Sequence, residues 1–272
     1  INGKALTASS GKQLTEGESL NIETQNIEFD DVESKYVWSA SKAFTLQPST
    51  AITDSALLLD TVYNVRSNKI GYILCNNLNG SALAGEFQTV ALDFLAENVT
   101  DIVLDMLYFN GGPIENAAEI AAIFVPASLT GSPFATLNGK EEEVYGYPAP
   151  LTNLSDKKLY IITGNDTRGM AELFIASVNA SRGMYEVLTI GERTAGSNLM
   201  TREFESPFSF SINPAVAVMA SSNGAELTAE GITPDYPLDE LEEVEHIYPL
   251  GNEREYILRN VEYLIINGTM PQ

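Results

Sequence analysis

The chain has 272 residues, 44% of them hydrophobic, enough for one large domain or one domain and part of a second around a sizeable core. Asp plus Glu total 37 against 15 Lys plus Arg, a formal net charge of −22. Such a surface repels nucleic-acid phosphates and anionic lipid headgroups and favours cationic peptides, so nucleic acid is excluded as a partner. No apolar run reaches the roughly 18 residues of a membrane span, so none is expected.

The chain opens at Ile1-Asn2-Gly3 without an initiator methionine, as a trimmed or mature fragment would, and a removed export signal fits that opening. Residues 1–27 predict short strands and turns, with a turn signal at Asn2-Gly3 and polar–apolar alternation over residues 19–23. Residues 28–68 are irregular, with a strand-like stretch at 34–43 and a polar break at Gln47-Pro48-Ser49-Thr50.

From Lys69 the pattern changes to strands alternating with helices. Residues 69–75 predict a strand that carries the only cysteine, Cys75, whose apolar neighbours predict a buried structural thiol. Residues 86–97 have helical periodicity, with Phe87, Val90, Ala91, Phe94 and Leu95 on one face. A second strand at 101–107 runs into Asn110-Gly111-Gly112, and Pro113 opens a helix over 114–124. A third strand spans 158–163, a helix about 169–179, and a fourth strand 186–190. This βαβαβ rhythm predicts an α/β fold, a parallel sheet with crossover helices. A β-rich stretch at 201–220 and a closing helix over about 253–266, ended by Asn267-Gly268, complete the chain.

In α/β folds, chemistry gathers where strands end and helices begin, because free N–H groups there stabilise negative charge. Three junctions qualify: residues 105–113, residues 163–172 with Asp166-Thr167-Arg168-Gly169-Met170-Ala171-Glu172, and Gly191-Glu192-Arg193-Thr194-Ala195-Gly196-Ser197. One cysteine and one histidine supply no metal-ligand spacing, so no metal and no cofactor is expected. His246 lies in an acidic segment before the last helix, and the acidic runs 141–143 and 239–245 read as solvated faces. Five Asn-X-Ser/Thr matches, beginning at Asn98, Asn153, Asn165, Asn179 and Asn267, carry no weight without knowledge of the host.

In order, the three junctions resemble those of the C-terminal processing (tail-specific) serine peptidases, the S41 type, which work through a Ser/Lys dyad. The residues that carry the resemblance are Leu104 to Gly112, Thr167 to Glu172, Gly191 to Ser197, and Gly231-Ile232-Thr233-Pro234-Asp235. The tail, Pro249-Leu250-Gly251-Asn252-Glu253 and the helix after it, resembles the ending of that family. Ile1-Asn2-Gly3-Lys4-Ala5-Leu6 and Leu14 to Leu20 resemble the latter part of a PDZ domain, which precedes the peptidase core in these enzymes. The resemblance implies a ClpP/crotonase-like βαβ core over 69–272, a β-rich connecting segment over 28–68 and a partial PDZ-like segment over 1–27. It also implies an extracytoplasmic location and a peptide or unfolded protein C-terminus as partner.

The catalytic residues do not carry over. In the family the nucleophilic serine stands three residues before the glutamate of its run, and counting back from Glu172 gives Gly169. The family's general base is the lysine directly after the second glycine of its third motif, and here Gly196 is followed by Ser197. Glycine offers no nucleophile, and a serine hydroxyl cannot take the proton that a neutral amine takes. Leu107 also stands where the family has arginine. By the resemblance Gly111, Gly112 and Met170 are the oxyanion and cleft candidates, and Asp105, Asn110, Glu172, Gly196, Pro234 and Asp235 are retained motif residues. Thr167 and Ser197 are alternative hydroxyl nucleophiles without an identifiable base, and Asp166 with Glu172 a candidate carboxylate pair whose plainer reading is structural. The expected function is an inactive S41 homologue that keeps a peptide-binding cleft, with Phe204, Phe208 and Phe210 in an edge open to β-augmentation. The alternatives are a working serine peptidase with an unconventional residue set and a structural subunit of an envelope complex.

Overall fold

The computed structural model describes residues 20–24, 27–30, 35–38, 42–46, 55–206, 210–238, 248 and 250–271. Contacts divide the chain into two compact units, Ile1–Ser55 with Val244–Tyr248, and Ala56–Glu243 with Pro249–Gln272.

In the first unit, β1 (Leu20–Thr24) pairs antiparallel with β4 (Lys42–Leu46), and β2 (Ile27–Asp30) with β3 (Lys35–Trp38). The strand expected over 34–43 is thus parts of two, β3 and β4, and β2 lies where no strand is expected. Each of these strands is four or five residues long, too short for alternation to stand out.

The second unit is built on a six-stranded sheet: β5 (Leu57–Val65), β6 (Asn68–Cys75), β7 (Asp101–Asp105), β10 (Lys158–Thr163), β11 (Val187–Gly191) and β16 (Tyr236–Pro237), in that spatial order. Only β5 is antiparallel to its neighbour; the other pairings are parallel. Helix α1 (Leu83–Ala96) links β6 to β7, α2 (Ile114–Phe124) follows β7, and α3 (Met170–Asn179) links β10 to β11. This mixed α/β architecture is the one the alternating sequence predicts.

The sheet's period of two sorts its side chains between two cores. Ile73 and Cys75 of β6, Ile102 and Leu104 of β7, and Leu159 and Ile161 of β10 face α1, α2 and α3. Ile70, Tyr72, Leu74, Val103, Tyr160 and Ile162 face the opposite way, onto Ile257, Leu258, Val261 and Leu264 of the closing helix α4 (Tyr256–Asn267). Gly71 sits where any Cβ would lie 2.5 Å from the Phe94 ring, so the aromatic of α1 fills the place of a strand side chain. Leu95, expected in the buried stripe, is 40% exposed. The helix begins at Leu83, and its stripe runs through Leu83, Phe87, Val90, Ala91 and Phe94, leaving Leu95 one step past the edge.

A second sheet, antiparallel, orders β12 (Leu199–Thr201), β15 (Ala215–Ser221), β8 (Pro133–Gly139) and β9 (Glu142–Gly146). Phe134, Leu137 and Met219 from this sheet join the core that holds α3. Between β12 and β15 the chain makes a separate two-stranded ribbon, β13 (Phe204–Glu205) with β14 (Ser211–Ile212). Among the described residues, no helix is long and apolar enough to cross a membrane. Cys75 is 1% exposed, its thiol donates to the Asn77 carbonyl at 3.0 Å, and burial pushes its pKa up to about 12, so it is an unreactive core thiol.

Candidate functional site

Three parallel strands, β7, β10 and β11, end side by side, so the loops that follow them are neighbours by topology. The loop after β7 carries the Gly-Gly turn, the loop after β10 leads into α3, and the loop after β11 leads to β12. All three predicted junctions therefore meet at one end of the sheet.

Two hydrogen bonds and a bridge fix the first two loops against each other. The Arg168 N–H donates to the Phe109 carbonyl at 3.2 Å, and Asn110 forms a parallel bridge with Arg168. Thr167 is 0% exposed; its hydroxyl donates to the Met106 carbonyl at 2.7 Å and accepts the Gly164 N–H at 2.8 Å. That engagement commits the Thr167 hydroxyl proton to a backbone carbonyl, and among the described residues no base adjoins it. Asn110 is exposed, and Gly111 and Gly112 half-buried. Gly112 has φ 137°, and a Cβ there would lie 2.5 Å from Leu78 Cβ, so only glycine lets the turn lie on the loop after β6. Asp105 is buried, with its carboxylate accepting the Tyr72 hydroxyl at 2.6 Å and the Leu107 N–H at 3.0 Å. Leu107 is packed in the α4-side core, so the motif's first part is held by burial rather than by an exposed charge.

Glu172 ties the second and third loops together. It lies on the first turn of α3 and is 1% exposed. Its Oε2 accepts the Gly169 N–H at 3.0 Å and the Ser197 N–H at 2.7 Å. Its Oε1 accepts the Gly196 N–H at 2.7 Å and the Thr194 hydroxyl at 2.5 Å. Four donors on one buried carboxylate make it a structural clamp. Gly169 and Ser197 thus share a single acceptor atom. Asp166 is instead exposed and ion-paired with Arg168, so the two acids form no carboxylate pair.

A further layer steadies the third loop. The Ile232 N–H donates to the Thr194 hydroxyl at 2.7 Å, and the Thr194 N–H to the Ile232 carbonyl at 3.1 Å. Pro234 is buried, and Asp235 after it is gripped by both Arg182 nitrogens at 2.6 and 2.7 Å and by the Thr189 N–H and hydroxyl. Burial raises the Asp235 pKa, but the Arg182 and Thr189 hydrogen bonds outweigh it and hold the carboxyl below its ordinary value. Arg182 and Thr189 are the partners that sequence reading missed; only the retained Asp235 hinted that something must hold it.

At the centre, Gly169 adopts φ 60° and ψ −112°, a sparsely populated conformation at a sharp strand-to-helix turn. A Cβ built there meets nothing within 4 Å. Met170 places its side chain in the core, 4% exposed, leaving only its backbone facing the turn. Among the described residues, neither the Met170 N–H nor the Gly112 N–H meets an acceptor. Ser197 is half-buried, with its N–H on Glu172. Lys69 and Lys158 stand at the opposite ends of β6 and β10, with Lys157 just before β10, and the three pair with Glu97, Glu186 and Asp156 in turn. His246 and Phe208 lie outside the described residues. Beside the Glu172 clamp, Ala176, Leu227, Thr228, Gly231 and Ile232 line a cavity of about 170 Å³.

The comparisons fit this geometry. The family model of peptidase family S41 matches residues 69–238. No curated protein sequence matches. Among solved structures, one from Bacteroides fragilis named as an S41 protease superposes with a TM-score of 0.84 at 23% identity, covering 98% of this chain and 72% of that one. The photosystem II D1 C-terminal processing protease gives 0.57 at 16% identity, over 73% of this chain and 51% of that one. A lipoprotein from Streptococcus agalactiae gives 0.50 at 14% identity, over 66% and 65%. With loops, clamp and family model in agreement over more than half its length, the chain belongs to peptidase family S41.

Proposed function

We propose that this chain is a non-hydrolysing member of its family that binds extended peptide segments, among them unfolded protein C-termini, outside the cytoplasm. The observation that carries the reading is the shared acceptor: Glu172 Oε2 joins Gly169 and Ser197, so the two positions are adjacent and hold a hydrogen atom and a hydroxymethyl group. Neither can attack a carbonyl at neutral pH without a base, and among the described residues no lysine stands there. Loss of both members of such a unit leaves only binding and oxyanion stabilisation. The Gly112 and Met170 N–H groups support that remainder, because donors of this kind hold a peptide carbonyl as well as an oxyanion. The extracytoplasmic location is supported by the family and by the lipoprotein neighbour.

The test is to incubate the protein with a panel of tail peptides and a reduced, unfolded protein, measure binding by anisotropy, and recover the ligands for mass spectrometry. Saturable binding with every ligand recovered intact is the expected result. Cleaved ligands would support the alternative of a working peptidase, and absence of binding would remove the peptide-cleft reading.

A further inference from the structure

The ribbon β13–β14 follows the Ser197 loop by way of β12, and among the described residues its two strands pair only with each other. The register sets its faces. Phe204 lies directly opposite Ile212, so the two share one face, and Phe210, two residues before Ile212, falls on that face as well. Glu205 lies opposite Ser211 on the other face, and Glu203 falls on that side by the same period. All three apolar side chains are about half exposed: Phe204 48%, Phe210 57% and Ile212 55%. Glu203 and Glu205 are exposed too. Arg202, the nearest cation, is already paired with Glu143 at 3.2 Å and does not neutralise them. Among the described residues the ribbon therefore presents one exposed apolar face, one exposed acidic face and strand edges that pair with no third strand.

An exposed edge beside exposed aromatics is a liability unless something covers it. A strand added to that edge continues the alternation of faces, its odd side chains against Phe204 and Ile212 and its even ones beside Glu203 and Glu205. The geometry points to one class of occupant, an extended peptide segment in which apolar and basic residues alternate. This rests on the peptide-binding reading above and names the ligand class for it. The net charge of −22 adds long-range attraction for the same ligand.

The test uses the whole chain and three labelled peptides of six residues: Lys-Val-Lys-Val-Lys-Val, its rearrangement Lys-Lys-Lys-Val-Val-Val, and Glu-Val-Glu-Val-Glu-Val. The alternating basic peptide is expected to bind about tenfold or more tightly than either other peptide. Glu203→Lys with Glu205→Lys should weaken it about tenfold, and Phe204→Ser with Ile212→Ser by a similar factor. The charge reversal sits on exposed side chains, so it keeps the test open if the apolar variant loses its fold in a circular dichroism melt. Equal binding of the rearranged peptide would show nonspecific charge attraction and overturn the proposal. Tail-peptide binding that neither ribbon variant changes would overturn the ribbon assignment while leaving a peptide cleft elsewhere. Absence of binding by every peptide would take away both.

Discussion

Gly169 is the residue on which the proposed lack of hydrolysis turns, and its backbone makes that proposal testable. The residue has φ 60° in open space, so a serine there meets no clash but must hold a strained conformation. Gly169→Ser alone is expected to destabilise the protein by about 1–3 kcal/mol, read as a shift in the urea midpoint, and to remain inert. Adding Ser197→Lys supplies a base beside the Glu172 clamp, and the double variant is expected to gain trace hydrolysis of tail peptides. A folded but inert double variant would place a further defect in the turn at 110–112. Glu172 itself is the residue the site can least lose. Glu172→Ala leaves three backbone N–H groups and the Thr194 hydroxyl without their acceptor, and about 3 kcal/mol or more of stability should go with it. A midpoint within error of the parent's would show that the clamp is dispensable.

Among the elements, α4 carries a pH-dependent load. Glu262 has a buried Oε1 without a partner among the described residues, and burial, helped by Glu253, pushes its pKa up to about 7. A raised carboxyl pKa means the folded state holds its proton after the unfolded chain has released it. Stability should therefore fall as pH rises from about 4.5 to about 7 and level off above. Glu262→Gln should flatten that slope and melt higher than the parent at pH 8, whereas an unchanged slope would assign it to other groups. The elements also show what the chain discloses on reading. Helices α2 and α3 and strands β6, β7, β10 and β11 were legible because buried parallel strands read as short continuous apolar runs, bounded by turn residues and set between longer helical segments. Strands β13 and β14 were legible only as β-rich sequence, since two residues have no period. In the site, Gly169, Ser197 and Glu172 could be placed by motif spacing. Arg182 and Thr189 could not, because they act across the fold through Asp235 and belong to no local pattern.

For the molecule as a whole, the proposal separates the fold from the chemistry. Two cores on opposite faces of one sheet hold three loops together at one sheet end, where Gly169 and Ser197 lie side by side. Glu172 and Asp235 hold the loops through backbone amides, threonines and one arginine, with no nucleophile or lysine base among those contacts. The proposed binding protein on a peptidase frame is consistent with that packing. The most direct measurement treats the unaltered protein with a fluorophosphonate probe and a casein digest side by side, both read by mass spectrometry. A non-hydrolysing protein yields no phosphonylated hydroxyl in the site and no new peptide termini, and that is the expected result. An adduct mapped to Ser197 or another hydroxyl of these loops, with cleavage lost when that residue is changed to alanine, would contradict it.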